Sequence, residues 1–474
     1  MNYNTITRLI GSVLKFVGMA MLVPLLVALL YGEDCDPFLI SAVITFIVGI
    51  VLGLKTYEID NLPIRESFAI VALGWFAVAV FGSLPYAFSG ISILDAFFES
   101  MAGFTTTGST ILPDIEAHSR SLLFWRSFTQ WLGGMGIIVL FLAILPKLAV
   151  AGRDLFRAEV PDPIGDKLRP RLGQSAKILW SVYVMLSAAE VIALWISGMD
   201  VYDALCTTFS TMSTGGFSPH RESIAFFGSP PIELIVTFFM IVAGANFALH
   251  FWILRGEQKR LLHDPEFRLY ICIISCATVL ITLMLWRSSG IHSIRLALFQ
   301  VVSILTTTGF TTANFDEWHN TARMILFVVM FVGGCAGSTS GGIKIVRILL
   351  LAKYGYRELF RSLHPKAILP VRLGRKMVPQ NVIESILSFF ILYISIFVVA
   401  SLILSALDMD VVSATSAAAT TLGNVGPGFN LIGPAMHFGE VHPIGKLVLI
   451  LCMWIGRLEI FTVMVLLIPE FWKR

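Results

Sequence analysis

The sequence predicts an all-α polytopic membrane protein of four pseudo-symmetric repeats, preceded by two transmembrane helices. Three observations carry that prediction. Of the 474 residues, 56% are hydrophobic and only 14% charged; apolar segments of spanning length recur along the chain; and four short apolar stretches end in loops of Thr, Ser or Asn followed by Gly. Soluble domains are far less apolar. A bilayer core of about 30 Å takes roughly 20 apolar residues per helix.

The leader, residues 1–66, holds spans at 9–30 and 38–54. The first contains Pro24 and is not followed by a small-residue cleavage site, so it reads as a retained helix and not as a signal peptide. Repeat 1 (67–152) holds spans 68–88 and 124–146, and repeat 2 (153–262) holds 177–198 and 232–254. Repeat 3 (263–362) holds 269–287 and 323–352, and repeat 4 (363–474) holds 382–407 and 443–469, for ten spans in all. Between the two spans of each repeat lies an apolar stretch too short to cross, the signature of a re-entrant half-helix. Each half-helix ends in a loop: Thr106-Thr107-Gly108-Ser109-Thr110, Ser213-Thr214-Gly215-Gly216-Phe217, Thr307-Thr308-Gly309-Phe310-Thr311 and Asn424-Val425-Gly426-Pro427-Gly428.

Charge sets the orientation. Lys147, Arg153, Arg157, Lys167, Arg169, Arg171 and Lys177 fill one connection, and Lys353, Arg357, Arg361, Lys366, Arg372, Arg375 and Lys376 another; both face the cytoplasm by the positive-inside rule. Glu33, Asp34 and Asp36 then lie outside, the half-helices enter from outside, and both termini are cytoplasmic. Four repeats in one orientation imply a pseudo-axis along the membrane normal, unlike the inverted repeats of many secondary transporters. The competing reading is a bundle in which Thr and Gly only allow close helix packing.

Four such loops suit a dehydrated cation. Carbonyl oxygens replace its water shell without a fixed countercharge that would trap it, and glycine at positive φ lets successive carbonyls point one way. The expected central ring is Gly108, Gly215, Gly309 and Gly426, flanked by Thr106, Thr107, Ser213, Thr214, Thr307, Thr308, Asn424 and Val425. Half-helix C-termini aimed at the membrane centre add a negative dipole end. Asp95, Asp203 and Asp410 either cap the opposite ends or are ordinary loop acids. The loops contain no acid, which argues against calcium.

Two features lie apart from the loops. Gly333-Gly334-Cys335-Ala336-Gly337-Ser338-Thr339-Ser340-Gly341-Gly342 cannot hold a regular helix across the eighth span, and such backbone is tolerated only against protein or a water-filled cavity. Lys344 is expected at its cytoplasmic edge. Arg457, inside the tenth span, costs at least about 2.5 kcal/mol unless it faces water or a partner. It either faces the pore as a positive barrier or pairs with a carboxylate, although Glu459, two residues on, lies on another helix face.

Gln130, Glu190, Asn246 and His250 are also polar residues within spans, readable as proton relays or as interhelical contacts. Six scattered cysteines show no disulfide or zinc spacing, and Cys272 and Cys276 read as packing. No nucleophile with a base and no phosphate loop is visible, so the chain is not expected to be an enzyme or to need an organic cofactor. A net charge of +3 is too slight to argue for nucleic acid.

With its four loops and flanking helices, the chain resembles the Trk/Ktr/HKT superfamily of potassium transport proteins, and its two-helix leader is similar to the TrkH branch. The resemblance covers nearly the whole chain. It implies four channel-like repeats around one pore, a filter that prefers K+ and admits Rb+, and a gate formed by Gly333 to Gly342 with Arg457. It also implies a homodimer in the bacterial inner membrane, seated on a cytosolic TrkA-type nucleotide-binding subunit. The basic stretches 147–177 and 353–376 are either its docking surface or only the topological signal. The loops depart from the channel pattern Thr-Val-Gly-Tyr-Gly, since only Asn424 to Gly428 keeps both glycines, which implies a shorter and less strict filter. The expected function is the potassium-translocating subunit of an uptake system. The alternatives are a symporter coupled to H+ or Na+ through acids such as Glu190, and a membrane enzyme or receptor without an ion path.

Overall fold

The computed structural model describes residues 1–54, 63–143, 171–374 and 376–473. Most of the expected basic stretch 147–177, together with Arg375, falls outside the described residues. The leader consists of α1 (Tyr3–Ala20) and α2 (Leu22–Tyr31), which run on as one span, and α3 (Asp36–Gly53). Gly11 and Gly49 let α1 and α3 touch backbone to backbone, since a Cβ on Gly11 would lie 2.7 Å from the Gly49 carbonyl oxygen.

Each repeat then supplies an outer helix, a half-helix and an inner helix. Repeat 1 has α4 (Ile64–Gly82) with the short α5 (Leu84–Phe88), α6 (Ile93–Phe104) and α7 (Arg120–Ala143). Repeat 2 has α8 (Arg171–Ile196), α9 (Val201–Met212), α10 (Pro230–Gly244) and α11 (Phe247–Leu254), then α12 (Lys259–His263). Repeat 3 has α13 (Pro265–Ser289), α14 (His292–Leu305), α15 (Asn320–Val332) and α16 (Ile345–Leu363). Repeat 4 has α17 (Gln380–Ala406), α18 (Val411–Gly423), α19 (Pro443–Arg457), α20 (Phe461–Met464) and the terminal α21 (Pro469–Trp472). The half-helices α6, α9, α14 and α18 hold 12, 12, 14 and 13 residues, too short to cross. A two-residue antiparallel hairpin, Arg372–Leu373 with Lys376–Met377, is the one sheet among the described residues.

The packing closes on itself. Inner helix α7 of repeat 1 lies against half-helix α9 of repeat 2, α10 against α14, α15 against α18, and α19 against α6 of repeat 1. Every inner helix thus supports the next repeat's half-helix, and the fourth returns to the first. Lys446 of α19 and Asp95 of α6 seal that return with a 2.5 Å ion pair.

Ten uninterrupted spans do not form. Six helices among the described residues are long and apolar enough to cross, and two pairs, α10 with α11 and α19 with the helix running from Phe461 to Leu467, are bent by 104° and 112°. The eighth expected span ends at Val332 and resumes at Ile345. The breaks at 245–246 and 458–460 have specific causes. Asn246 accepts from Ala248 N at 2.8 Å and starts a new helix, whereas Glu459 and Ile460 take left-handed φ of 62° and 49° and end the old one.

Candidate functional site: a ring of four loops above an intramembrane loop

The four half-helices end alike. A residue at left-handed φ follows the last turn (Thr106, Thr214, Thr307, Asn424; φ 50° to 58°), then one residue that is not left-handed, then a glycine at positive φ. Those glycines are Gly108, Gly216, Gly309 and Gly426. The structure therefore corrects the second loop by one residue: Gly216, not Gly215, takes the central place, and Thr214-Gly215-Gly216 matches Thr106-Thr107-Gly108. Ser213 stands instead with Thr105 and Thr306 at the helix end, and all three hydroxyls donate to carbonyls four residues back, at 2.7, 2.6 and 2.8 Å. The double glycine left the register open in the sequence.

The glycines meet the neighbouring loops in cyclic order. A Cβ on Gly108 would lie 2.0 Å from the Gly215 oxygen, one on Gly216 1.9 Å from the Thr308 oxygen, and one on Gly309 2.1 Å from the Val425 oxygen. One on Gly426 would lie 2.8 Å from the Thr107 oxygen. No side chain fits at these contacts without moving backbone. Ser109 Oγ adds a 3.1 Å bond to the Gly426 oxygen across the first and fourth loops. A cavity is bordered by all four glycines and by Arg126, His220, Arg221 and His437.

The residue before each glycine is braced. Thr107 Oγ1 lies 2.7 Å from Thr105 Oγ1 and accepts from Asn424 Nδ2 at 2.9 Å. Thr308 Oγ1 lies 2.8 Å from Thr306 Oγ1, and Val425 is fully buried in the core. Gly215 has no side chain to brace. Behind the first loop, Glu99 accepts from Arg126 Nε at 2.7 Å and from Ile111 N at 2.9 Å, while Arg126 Nη1 donates to Ser218 O at 3.2 Å. This buried pair ties the first two loops together, and sequence reasoning missed it. The signal was a charged residue in a half-helix and another in a span.

The expected caps divide. Asp410 accepts from Val412 N and Ser413 N, both at 3.0 Å, and caps α18. At α6 and α9 the capping side chains are Ser92 and Asp200. Asp95 binds Lys446, and Asp203 lies 3.2 Å from His220. Burial raises the Asp410 carboxyl, but hydrogen bonds from Ser413, Asn430 and Val412 outweigh it and hold its pKa below the ordinary 3.8.

Beneath the ring lies the segment Gly333 to Lys344. Gly341 N donates to Thr307 Oγ1 at 2.7 Å, and Thr339 Oγ1 donates to Met212 O at 3.0 Å. The bend at 245–246 grips it from the side: Cys335 N donates to Gly244 O at 2.9 Å, and Phe247 N to Gly337 O at 3.1 Å. Arg457 donates through Nη1 to Thr339 O at 2.7 Å and through Nη2 to Gly133 O at 3.3 Å. Among the described residues it therefore meets backbone carbonyls and no carboxylate; Glu459 instead pairs with Arg347 of α16. Lys344 is buried at 6% exposure, with Nζ donating to Ser340 O, and not at an exposed edge. One oxygen of Glu266, buried at the start of α13, accepts from Ala336 N at 2.7 Å and Val346 N at 3.0 Å, fastening both ends of the segment. Gly334, Ser338 and Gly342 complete it, with Gly333, Gly337 and Gly342 at positive φ.

Three of the remaining polar residues within spans make hydrogen bonds. Gln130 binds the second loop, Asn246 caps α11, and His250 Nε2 lies 2.8 Å from Val242 O. Glu190 is fully buried in α8, which packs on α9.

Comparison with known proteins agrees with this overall fold. A family model described as "TrkH: Cation transport protein" matches residues 36–474. The chain is 42% identical to the Trk system potassium uptake protein TrkH of Escherichia coli K12, over all of both chains. It is 34% identical to TrkI of Halomonas elongata, over 99% of this chain and 97% of that one. The crystal structure of the potassium transporter TrkH from Vibrio parahaemolyticus superposes with a TM-score of 0.93 at 40% identity, covering all of both chains.

Proposed function

The chain belongs to the TrkH family of cation transport proteins, and from that premise we propose that it is the potassium-translocating subunit of a bacterial uptake system. K+, with Rb+ admitted, passes through the four-loop ring. The observation that carries this reading is the cyclic contact of Gly108, Gly216, Gly309 and Gly426 with the carbonyl oxygens of the next loop. Backbone oxygens of Thr107, Gly215, Thr308 and Val425, with those of Thr106, Thr214, Thr307 and Asn424, replace the ion's water. The half-helix C-termini favour the cation below them. The division at 67, 153, 263 and 363 gives each repeat one quadrant of the path.

Gly333 to Gly342 is the gate. Its bonds to Met212, Thr307 and Arg457 support a closed segment directly under the ring. The Arg457 guanidinium adds positive charge there, which opposes a cation in a region of low dielectric. Conduction requires both to move.

The protein sits in the bacterial inner membrane with both termini cytoplasmic, and it works as a homodimer on a TrkA-type nucleotide-binding subunit. The basic α16 and its hairpin, tied by Lys353 Nζ to Arg372 O at 2.7 Å, offer that subunit a rigid cytoplasmic surface. Coupled symport is not favoured: its proposed acid, Glu190, lies in an outer helix behind α9. The test is K+ current from purified protein in bilayers with imposed gradients. A current that reverses at the K+ equilibrium potential whatever the pH and Na+ gradients is expected. A reversal that follows either gradient, or no flux, refutes the reading.

A further inference from the structure

The structure assigns to Gln130 of α7 the role of missing side chain for the second quadrant of the ring, and so a part in ion discrimination. This rests on the reading of the four loops as a selectivity filter.

At the position before the central glycine, Thr107, Thr308 and Val425 carry side chains that are hydrogen-bonded or buried in the core. Gly215 carries none. The space is occupied from outside the loop: a Cβ on Gly215 would lie 2.4 Å from Gln130 Cδ, 2.6 Å from Oε1 and 2.8 Å from Nε2. The amide is oriented by both its bonds. Nε2 donates to Gly215 O at 2.7 Å, and Oε1 accepts from Phe217 N at 3.1 Å. One side chain thus brackets Gly216, holding the carbonyl before it and the amide after it.

Gly215 O is also the atom against which Gly108 packs. A shift in this carbonyl is therefore felt in the first quadrant as well as the second. Gln130 is fully buried, so water does not replace its bonds when the side chain is removed. A free glycine pair has the widest conformational choice of any dipeptide, and Gln130 is what narrows it. Gln130 is a positioning residue: it acts on the ion through Gly215.

The test measures the K+/Na+ permeability ratio from reversal potentials in planar bilayers. Gln130→Leu and Gln130→Met fill the space without a donor or acceptor, and each is expected to lower the ratio about fivefold, the scale of one buried hydrogen bond. Gly215→Ala pushes the amide aside and lowers the ratio similarly, but adds nothing in a Gln130→Ala chain. Size-exclusion elution and thermal unfolding of each variant report assembly, and Gln130→Met, unbranched like the native side chain, is the variant best able to fold. Gly309→Ser serves as the control. If it changes the ratio and the Gln130 variants do not, or if Gly215→Ala and Gln130→Ala act additively, Gln130 has no such role and the filter reading stands. If Gly309→Ser also leaves the ratio unchanged, the filter reading itself fails.

Discussion

Replacing Gly216 by alanine tests both the identity of the ring and its register. The residue has φ of 76°, where an L side chain costs roughly 1–2 kcal/mol. Its Cβ would lie 1.9 Å from the Thr308 oxygen, and Cβ contacts shorter than 3.0 Å essentially never occur, so backbone of the third loop must retreat by about 1.1 Å, the difference between the two. The displaced atom is itself a proposed ligand. Because about 1.4 kcal/mol is a factor of ten, strain of this size released into the ring lowers the K+/Na+ permeability ratio by about tenfold or more. Reversal potentials under bi-ionic conditions measure it. Gly74→Ala, a position with nothing within 4 Å, is the matched control and leaves the ratio unchanged. The atoms nearest a Cβ on Gly215 belong to the Gln130 side chain and not to backbone, so Gly215→Ala is the milder change. A Gly215 variant more damaging than the Gly216 one would refute the register, and an unchanged ratio in Gly216→Ala would refute the ring as the ion path.

Three further perturbations follow from the contacts below and beside the ring. Arg457→Ala removes the bonds to Thr339 O and Gly133 O, and basal K+ flux of the folded protein should rise; flux that stays low means that another group holds the segment. Glu266→Ala should raise basal flux without altering the permeability ratio, whereas Glu266→Gln keeps an acceptor at the same place for Ala336 N and Val346 N and should stay near wild type. Equal effects of the two would assign the role to charge and not to the bridge. Asp410→Ala should cost about 1 kcal/mol as a lost helix cap. Because the folded carboxyl titrates below its ordinary 3.8, its contribution is present above that pH and fades as pH falls through the folded value. The difference in thermal stability between the two chains should be constant near pH 7 and narrow as pH falls below 3.8.

Much of the fold was legible because its signals are local. Hydropathy and length mark α3 and α17, and a stretch too short to cross followed by Thr and Gly marks α6 and α14, without knowledge of any neighbour. The glycine-rich run after Val332 announces a break through its own backbone propensity. The bend at Ala245 and the turn at Glu459 were not legible in the same way. Each lies in an apolar segment of ordinary length, and what makes room for a break there is the intramembrane segment packed against it. Glu266 and Arg347 carry no local signal, because their partners lie 70 to 112 residues away in sequence.

The sequence by itself determined that four like units enter one membrane in one orientation, since lipid allows few backbones and each unit carries its own hydropathy and turn chemistry. Tertiary structure alone decided which of two adjacent glycines joins the ring, which carbonyls Arg457 meets, and which side chain completes the second loop. Gly215 and Gly216 are chemically identical along the chain. The φ of 76° at Gly216, the Thr308 oxygen beside it and the Gln130 amide beside Gly215 tell them apart.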